Sequence, residues 1–246
     1  MNAHLPPRKI IGIIGGMGPA ATVDLYAKII ASTVAASDQE HLHVIIDSNS
    51  GIPDRTSAIL GQGEDPLPAL VTTARTLERA GAQVLAIPCN TAHWYYDGIQ
   101  AAVGVPVLNM IRETVGYIAR QYPSLEHIGL MATTGTLKTG LYDRALGGAG
   151  LTVIRPEPEE QDTLMRAIYQ GVKVGRLAEA EALASDVARR LAECGAQVLL
   201  LGCTELPIAL RQARLPAPTI DPTHVLARAA VAAAGGALSA DVGTSS

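Results

Sequence analysis

Two stretches of this 246-residue chain place a cysteine in the same setting. Gly81-Ala82-Gln83-Val84-Leu85-Ala86-Ile87-Pro88-Cys89-Asn90-Thr91 returns as Gly195-Ala196-Gln197-Val198-Leu199-Leu200-Leu201-Gly202-Cys203-Thr204-Glu205, each cysteine eight residues after its glycine. An apolar run closing on Cys-polar-polar reads as a strand end that leads into a helix. A thiol there sits near unpaired backbone N–H groups and the positive end of a helix dipole. That setting lowers its pKa from about 8.5 toward neutrality, where a thiol serves as both base and acid. Two such thiols on opposite sides of one carbon take a proton from one face and return one to the other, which is what inverting a stereocentre requires. Buried cysteines also occur at strand ends purely as packing. The polar companions Asn90, Thr91 and Thr204 favour chemistry for Cys89 and Cys203, whereas Cys194, at a helix end before Gly195, reads as a packing thiol.

Removing a proton from Cα needs donors to receive the developing negative charge. The turn Gly15-Gly16-Met17-Gly18-Pro19, with the proline at a first helical position, offers the amides of Gly16 and Met17 to a carboxylate. Asn90, Thr91 and Thr204 add donors beside the thiols. Arg55, in the loop Ser50-Gly51-Ile52-Pro53-Asp54-Arg55-Thr56, reads either as a clamp for a second carboxylate or as a solvated charge. Lys173, after a helix-like stretch, has the same two readings.

Other chemistries compete for these residues. Gly16-Met17-Gly18-Pro19-Ala20-Ala21 fits a G-x-G-x-x-A dinucleotide fingerprint, although proline inside the turn departs from the usual pattern. In that reading the chain is a dinucleotide- or metabolite-binding module with structural cysteines. Cys89, His93 and Cys203 could hold zinc, but Glu205 stands where a closely spaced Cys or His ligand is wanted. His93, one helical turn from Cys89, could be the base of a cysteine hydrolase or a polar residue supporting the thiol. A pyridoxal enzyme needs a Schiff-base lysine, and the chain offers only Lys9, Lys28, Lys138 and Lys173.

The elements that must position these groups alternate between short β-rich runs and longer Ala/Leu/Arg stretches, which predicts an α/β protein with parallel sheets. Ile11-Gly12-Ile13-Ile14 matches Ile128-Gly129-Leu130-Met131, and Pro106-Val107-Leu108-Asn109 matches Pro218-Thr219-Ile220-Asp221, at nearly the offset of the cysteine repeat. Two similar halves related by a pseudo-twofold axis follow, with the cysteines facing each other across the cleft between them. The expected domains are residues 1–112, completed by 222–246, and residues 113–221. A final strand and helix of each half could cross to the other. The end of the tail 235–246 reads as flexible.

Composition sets the outer limits. At 48% hydrophobic and 17% charged, the chain has ample material for a packed core. Nineteen Lys and Arg against 23 Asp and Glu, with no basic block, make nucleic acid an unlikely partner. The mean hydropathy is +0.22, yet no run approaches the roughly 20 apolar residues of a membrane span. Residues 10–14 are too short for a signal-peptide core. Three cysteines argue against a disulfide framework and for a reducing, cytoplasmic setting.

Taken together, Gly15-Gly16-Met17-Gly18-Pro19-Ala20-Ala21-Thr22, Pro88-Cys89-Asn90-Thr91-Ala92-His93 and Gly202-Cys203-Thr204-Glu205-Leu206-Pro207 resemble the aspartate/glutamate racemases, in their aspartate racemase branch. Pro53-Asp54-Arg55-Thr56 and Val172-Lys173 support the match. Glutamate racemases differ at the first motif, where Asp-Ser-Gly is usual, and carry His where Glu205 stands. The resemblance implies two Rossmann-like domains with the active site between them, and neither cofactor nor metal. It implies that Cys203 deprotonates the L-substrate and Cys89 the D-substrate. Arg55 and Lys173 would hold the side-chain carboxylate; Asn90, Thr91 and Thr204 would bind the α-carboxylate, joined in the substrate-binding set by Gly16, Met17 and Thr136, with His93 and Glu205 behind. It further implies a small amino-acid substrate, aspartate before glutamate or a broad range, and a homodimer. Relatives that are hydantoin racemases, maleate isomerases or arylmalonate decarboxylases show that the fold does not fix the substrate.

Overall fold

The structure, a computed structural model, describes residues 8–241, so the readings of residues 1–7 and of the tail beyond 241 fall outside it. Among the described residues, seven strands form two parallel sheets. β1 (Ile11–Gly15), β2 (Val44–Ser48) and β3 (Val84–Ala86) lie in the order β2-β1-β3. β4 (His127–Ala132), β5 (Thr152–Ile154), β6 (Val198–Gly202) and β7 (Thr219–Ile220) lie in the order β5-β4-β6-β7. The first sheet has an incomplete counterpart of β7: Leu85 bridges to Val107, and Leu85 N–H donates to the Pro106 carbonyl just as Leu199 N–H donates to that of Pro218. The expected α/β architecture of two similar halves is therefore what the chain adopts.

The repeat has a packing reason. A Cβ on Gly12 would lie 2.6 Å from Leu85, 2.8 Å from Ala82 and 3.3 Å from Leu77. On Gly129 it would meet Leu199, Ala196 and Leu191, the same residues of the second copy, at 3.0, 3.0 and 3.3 Å. Each central strand thus needs glycine where a helix crosses it. Gln83 accepts from the Ile10 N–H, and Gln197 accepts from the N–H groups of Glu126 and His127, so the repeated Gln pins the start of each cysteine strand to its neighbour.

The helices are α1 (Pro19–Ser32), α2 (Arg55–Ile59), α3 (Leu67–Arg79), α4 (Tyr96–Ala101), α5 (Met110–Gln121), α6 (Thr134–Thr139), α7 (Leu141–Gly147), α8 (Pro158–Arg166), α9 (Leu177–Glu193), α10 (Leu206–Ala209) and α11 (Pro222–Ala233). Gly18 caps α1 and Pro19 is its first residue, as the turn predicted. The closing helix of each half crosses over. Ile111 and Ile118 of α5 pack with Ile128, Leu130 and Tyr142 of the second half, while Leu226, Ala230 and Val231 of α11 pack with Ile11, Ile13 and Leu25 of the first. Apolar burial of this kind, about 25 cal/mol per Å², ties the halves together along the seam where the site lies.

Candidate active site

Cys203 follows β6 directly, and Cys89 comes three residues after β3. Both are buried and line one narrow cavity between the halves. Its walls also carry Met17, Arg55, Asn90, Thr91, Lys173, Thr204 and Glu205, all expected from the sequence, and Asp54, Thr56, Thr133 and Tyr169, which were not.

Arg55 opens α2 and is buried, with its guanidinium braced by the fold. Nη1 donates to the carbonyls of Ile52 and Pro53, at 3.1 and 2.8 Å, and Nη2 to that of Met17 at 3.2 Å. The Nε–H, equally buried, has no partner. Burial opposes its charge, but Cys89 and Asp54 more than offset this and hold the guanidinium more firmly protonated than usual. Asp54 caps α2 by accepting from Ser57 N–H at 2.8 Å. The Tyr169 hydroxyl from the second half donates to its other oxygen at 2.9 Å. Burial pushes the Asp54 carboxyl up; the donors Ser57 and Tyr169, with Lys173, prevail and keep it below the ordinary range. Lys173 is exposed at the rim, its Nζ 4.2 Å from the centre of the Tyr169 ring, a cation–π contact.

Asn90 is held by its carbonyl oxygen, which accepts from the buried Tyr142 hydroxyl at 2.6 Å; its Nδ2 has no partner. Thr91 Oγ1 lies 3.0 Å from Thr133 Oγ1 and 2.8 Å from Thr136 Oγ1, a hydroxyl cluster that joins the halves. Cys203 Sγ donates to Glu205 Oε2 at 3.1 Å, and Thr204 Oγ1 donates to the same oxygen at 3.1 Å.

Several expectations need correction. Burial, followed by the Glu205 charge, pushes the Cys203 thiol well above its usual pKa rather than toward neutrality. The helix after Cys203 is the four-residue α10, too short to outweigh the neighbouring carboxylate, and Cys89 is followed by a 3₁₀ turn (Thr91–Tyr95). Gly16 offers no free amide, because its N–H donates to Thr22 Oγ1; at φ +89° with Asn49 backbone pressed against it, it shapes the turn. Thr136 stands behind Thr91 instead of lining the cavity. Cys194 is exposed at the end of α9, not packed. His93 is fully engaged: Nδ1 lies 2.9 Å from the Cys89 carbonyl and Nε2 accepts from Met110 N–H at 3.0 Å. A hydrolase base needs a free ring nitrogen, so His93 supports the Cys89 loop instead. Among the described residues, no three His, Cys, Asp or Glu side chains gather as metal ligands.

Comparison with known proteins agrees with this arrangement. The family model described as Asp/Glu/Hydantoin racemase matches residues 14–230. The broad specificity amino-acid racemase RacX of Bacillus subtilis is 30% identical over 229 residues, covering 90% of this chain and 96% of that protein. The aspartate racemase of Picrophilus torridus superposes with a TM-score of 0.84 at 31% identity, over 94% of this chain and 96% of that one. An aspartate racemase homologue from Pyrococcus horikoshii gives 0.71 at 28% identity, over 92% and 99%. With two matched sheets, two buried thiols on one cavity and these relatives across nearly its whole length, the chain belongs to the Asp/Glu/hydantoin racemase family and is an amino-acid racemase, an isomerase.

Proposed function

We propose that this racemase interconverts L- and D-aspartate by a two-base mechanism in which Cys89 and Cys203 exchange protons with opposite faces of Cα. The observation that carries the reading is a pair of buried N–H donors without partners, Asn90 Nδ2 and Arg55 Nε, on two residues that line the cavity of both thiols. A buried donor without an acceptor costs about 1–3 kcal/mol, so each calls for an acceptor from a ligand. Two separate donors match two carboxylates: the α-carboxylate on Asn90, with Thr91 and Thr204 beside it, and the side-chain carboxylate on Arg55, with Lys173 at the rim. One thiolate takes the Cα proton, the anchored α-carboxylate spreads the resulting charge, and the opposite thiol delivers a proton.

The reading takes residues 1–112 with 222–246 as one domain and 113–221 as the other, supported by the seating of α11 in the first core. It includes a cytoplasmic location and a homodimer, on the strength of the family resemblance. No helix among the described residues is long and apolar enough to cross a membrane. A wider substrate range is the second reading, favoured by the Asp54 carboxylate on the cavity wall and by the similarity to RacX.

Proton NMR of each aspartate enantiomer in D₂O, with chiral analysis alongside, tests both. The Cα–H signal should disappear from both enantiomers as they converge on a racemate, and Cys89→Ala and Cys203→Ala should each stop the convergence. Exchange of alanine or lysine as fast as aspartate would transfer the conclusion to the broad reading, and convergence that survives either cysteine substitution would end the two-base mechanism.

A further inference from the structure

The two thiols are equally hidden, at 6% exposure each, but their electrostatic settings are opposite. Cys203 Sγ lies 3.1 Å from Glu205 Oε2, an oxygen that also receives the Thr204 hydroxyl. Glu205 is itself buried, at 4% exposure, with its other oxygen turned toward the Gly18 backbone. If Cys203 and Glu205 were both ionised, two negative charges would face each other at 3.1 Å with almost no water to screen them. The pair therefore keeps one proton between its two members. Cys89 faces the opposite charge, in the Arg55 guanidinium.

We propose that Glu205 is a positioning residue that retains the proton at Cys203, so that Cys203 enters turnover as the acid, Cys89 as the base, and the enzyme first accepts the enantiomer whose Cα–H points toward Cys89. The catalytic consequence rests on the two-base reading, whereas the charge assignment stands on the contacts of the free protein. In the first half-reaction the Cα–H bond breaks, its electron pair stays on the substrate, and an S–H bond forms on Cys89. Cα then takes the Cys203 proton on its other face, which leaves a thiolate beside the Glu205 carboxylate. That repulsion drives the reset: after product leaves, Cys89 releases its proton to water and the Cys203–Glu205 pair regains one from water.

The other groups facing the thiols act in a definite sense. Burial and the Glu205 carboxylate hold the Cys203 proton, against the Glu205 N–H and the Lys173 charge. Tyr169 also faces Cys203, and its hydroxyl stays protonated because burial and Asp54 raise its pKa. On the Cys89 side, His93 meets the backbone carbonyl and, being depressed by burial, is neutral.

Iodoacetamide labelling of the substrate-free protein across pH, followed by peptide mass spectrometry, reads each thiol separately, with exposed Cys194 as the internal control. The pH profile of each thiol, rather than its absolute rate, reports its ionisation. At neutral pH, Glu205→Gln should raise the Cys203 labelling rate about tenfold and move its pH profile downward, with the Cys194 rate unchanged. A Cys203 pH profile in the unaltered protein that lies no higher than that of exposed Cys194, a comparison that needs no variant to fold, would overturn the proposal; so would a Cys203 profile unmoved in a Glu205→Gln protein with native circular dichroism. Because no substrate is present, this result is independent of whether aspartate racemises.

Discussion

At the scale of single residues, Tyr142 decides how Asn90 meets a ligand. The Tyr142 hydroxyl donates to Asn90 Oδ1 at 2.6 Å, which leaves the amide nitrogen of this cavity-lining residue without a partner. In Tyr142→Phe the amide loses this orientation. KM for the amino acid should rise about tenfold, the worth of one buried hydrogen bond, with kcat less affected. A Tyr142→Phe enzyme with lower melting temperature but unchanged KM would make Tyr142 a packing residue only. The cysteines were legible because their surroundings repeat; Tyr142 and Tyr169 were not, because their polar partners stand 52 and 115 residues away and no local spacing marks such pairs. Asp54 was in view beside Arg55, but its role as cap of α2 and acceptor for Tyr169 belongs to the folded chain.

At the scale of elements, strands and long helices followed from their apolar patterns and caps, while the short elements around the site did not. The segment after α8 runs through a π turn (Ala167–Gly171) and a 3₁₀ turn (Val172–Val174) to carry Tyr169 and Lys173, and neither has a strong sequence period. The 3₁₀ turn after Cys89 is fixed to the start of α5 through His93, which bridges the Cys89 carbonyl and Met110 N–H. This bridge makes stability depend on pH. Burial depresses the His93 pKa below its ordinary 6.5, so the folded state holds it neutral. Below 6.5 the unfolded chain binds a proton that the folded chain does not, and stability falls as pH drops from there toward the folded pKa. The urea midpoint should therefore decline on acidification through this window, and the decline should be shallower in His93→Gln. An identical slope in the variant would assign the acid sensitivity to other groups.

At the scale of the whole molecule, the repeat made two halves legible, but the closeness of their seam arises only on folding. Gly135 in α6 shows how tight the seam is: a Cβ there would lie 2.8 Å from Thr56 Oγ1 and 2.9 Å from Thr56 Cα. Backbone cannot swing aside as a side-chain tip does, so Gly135→Ala must push α6 away from α2, the helix that begins at Arg55. The same displacement strains the Thr91–Thr133–Thr136 cluster, since Thr133 caps α6. Gly129→Ala is the contrasting change, crowding Ala196, Leu199 and Leu191 inside one half, where all three close contacts are side chains. Overpacking of either kind costs about 1–3 kcal/mol of stability. The two should nevertheless separate in function: Gly135→Ala should lower kcat/KM by tenfold or more, the cost of about a 1 Å misplacement at a reacting site, whereas Gly129→Ala should leave kcat/KM within about threefold of the unaltered enzyme at a temperature where both are folded. Matched losses of activity in the two variants would mean that the seam transmits strain from anywhere in the second half, and that the position of Arg55 is not set locally by the meeting of α2 with α6.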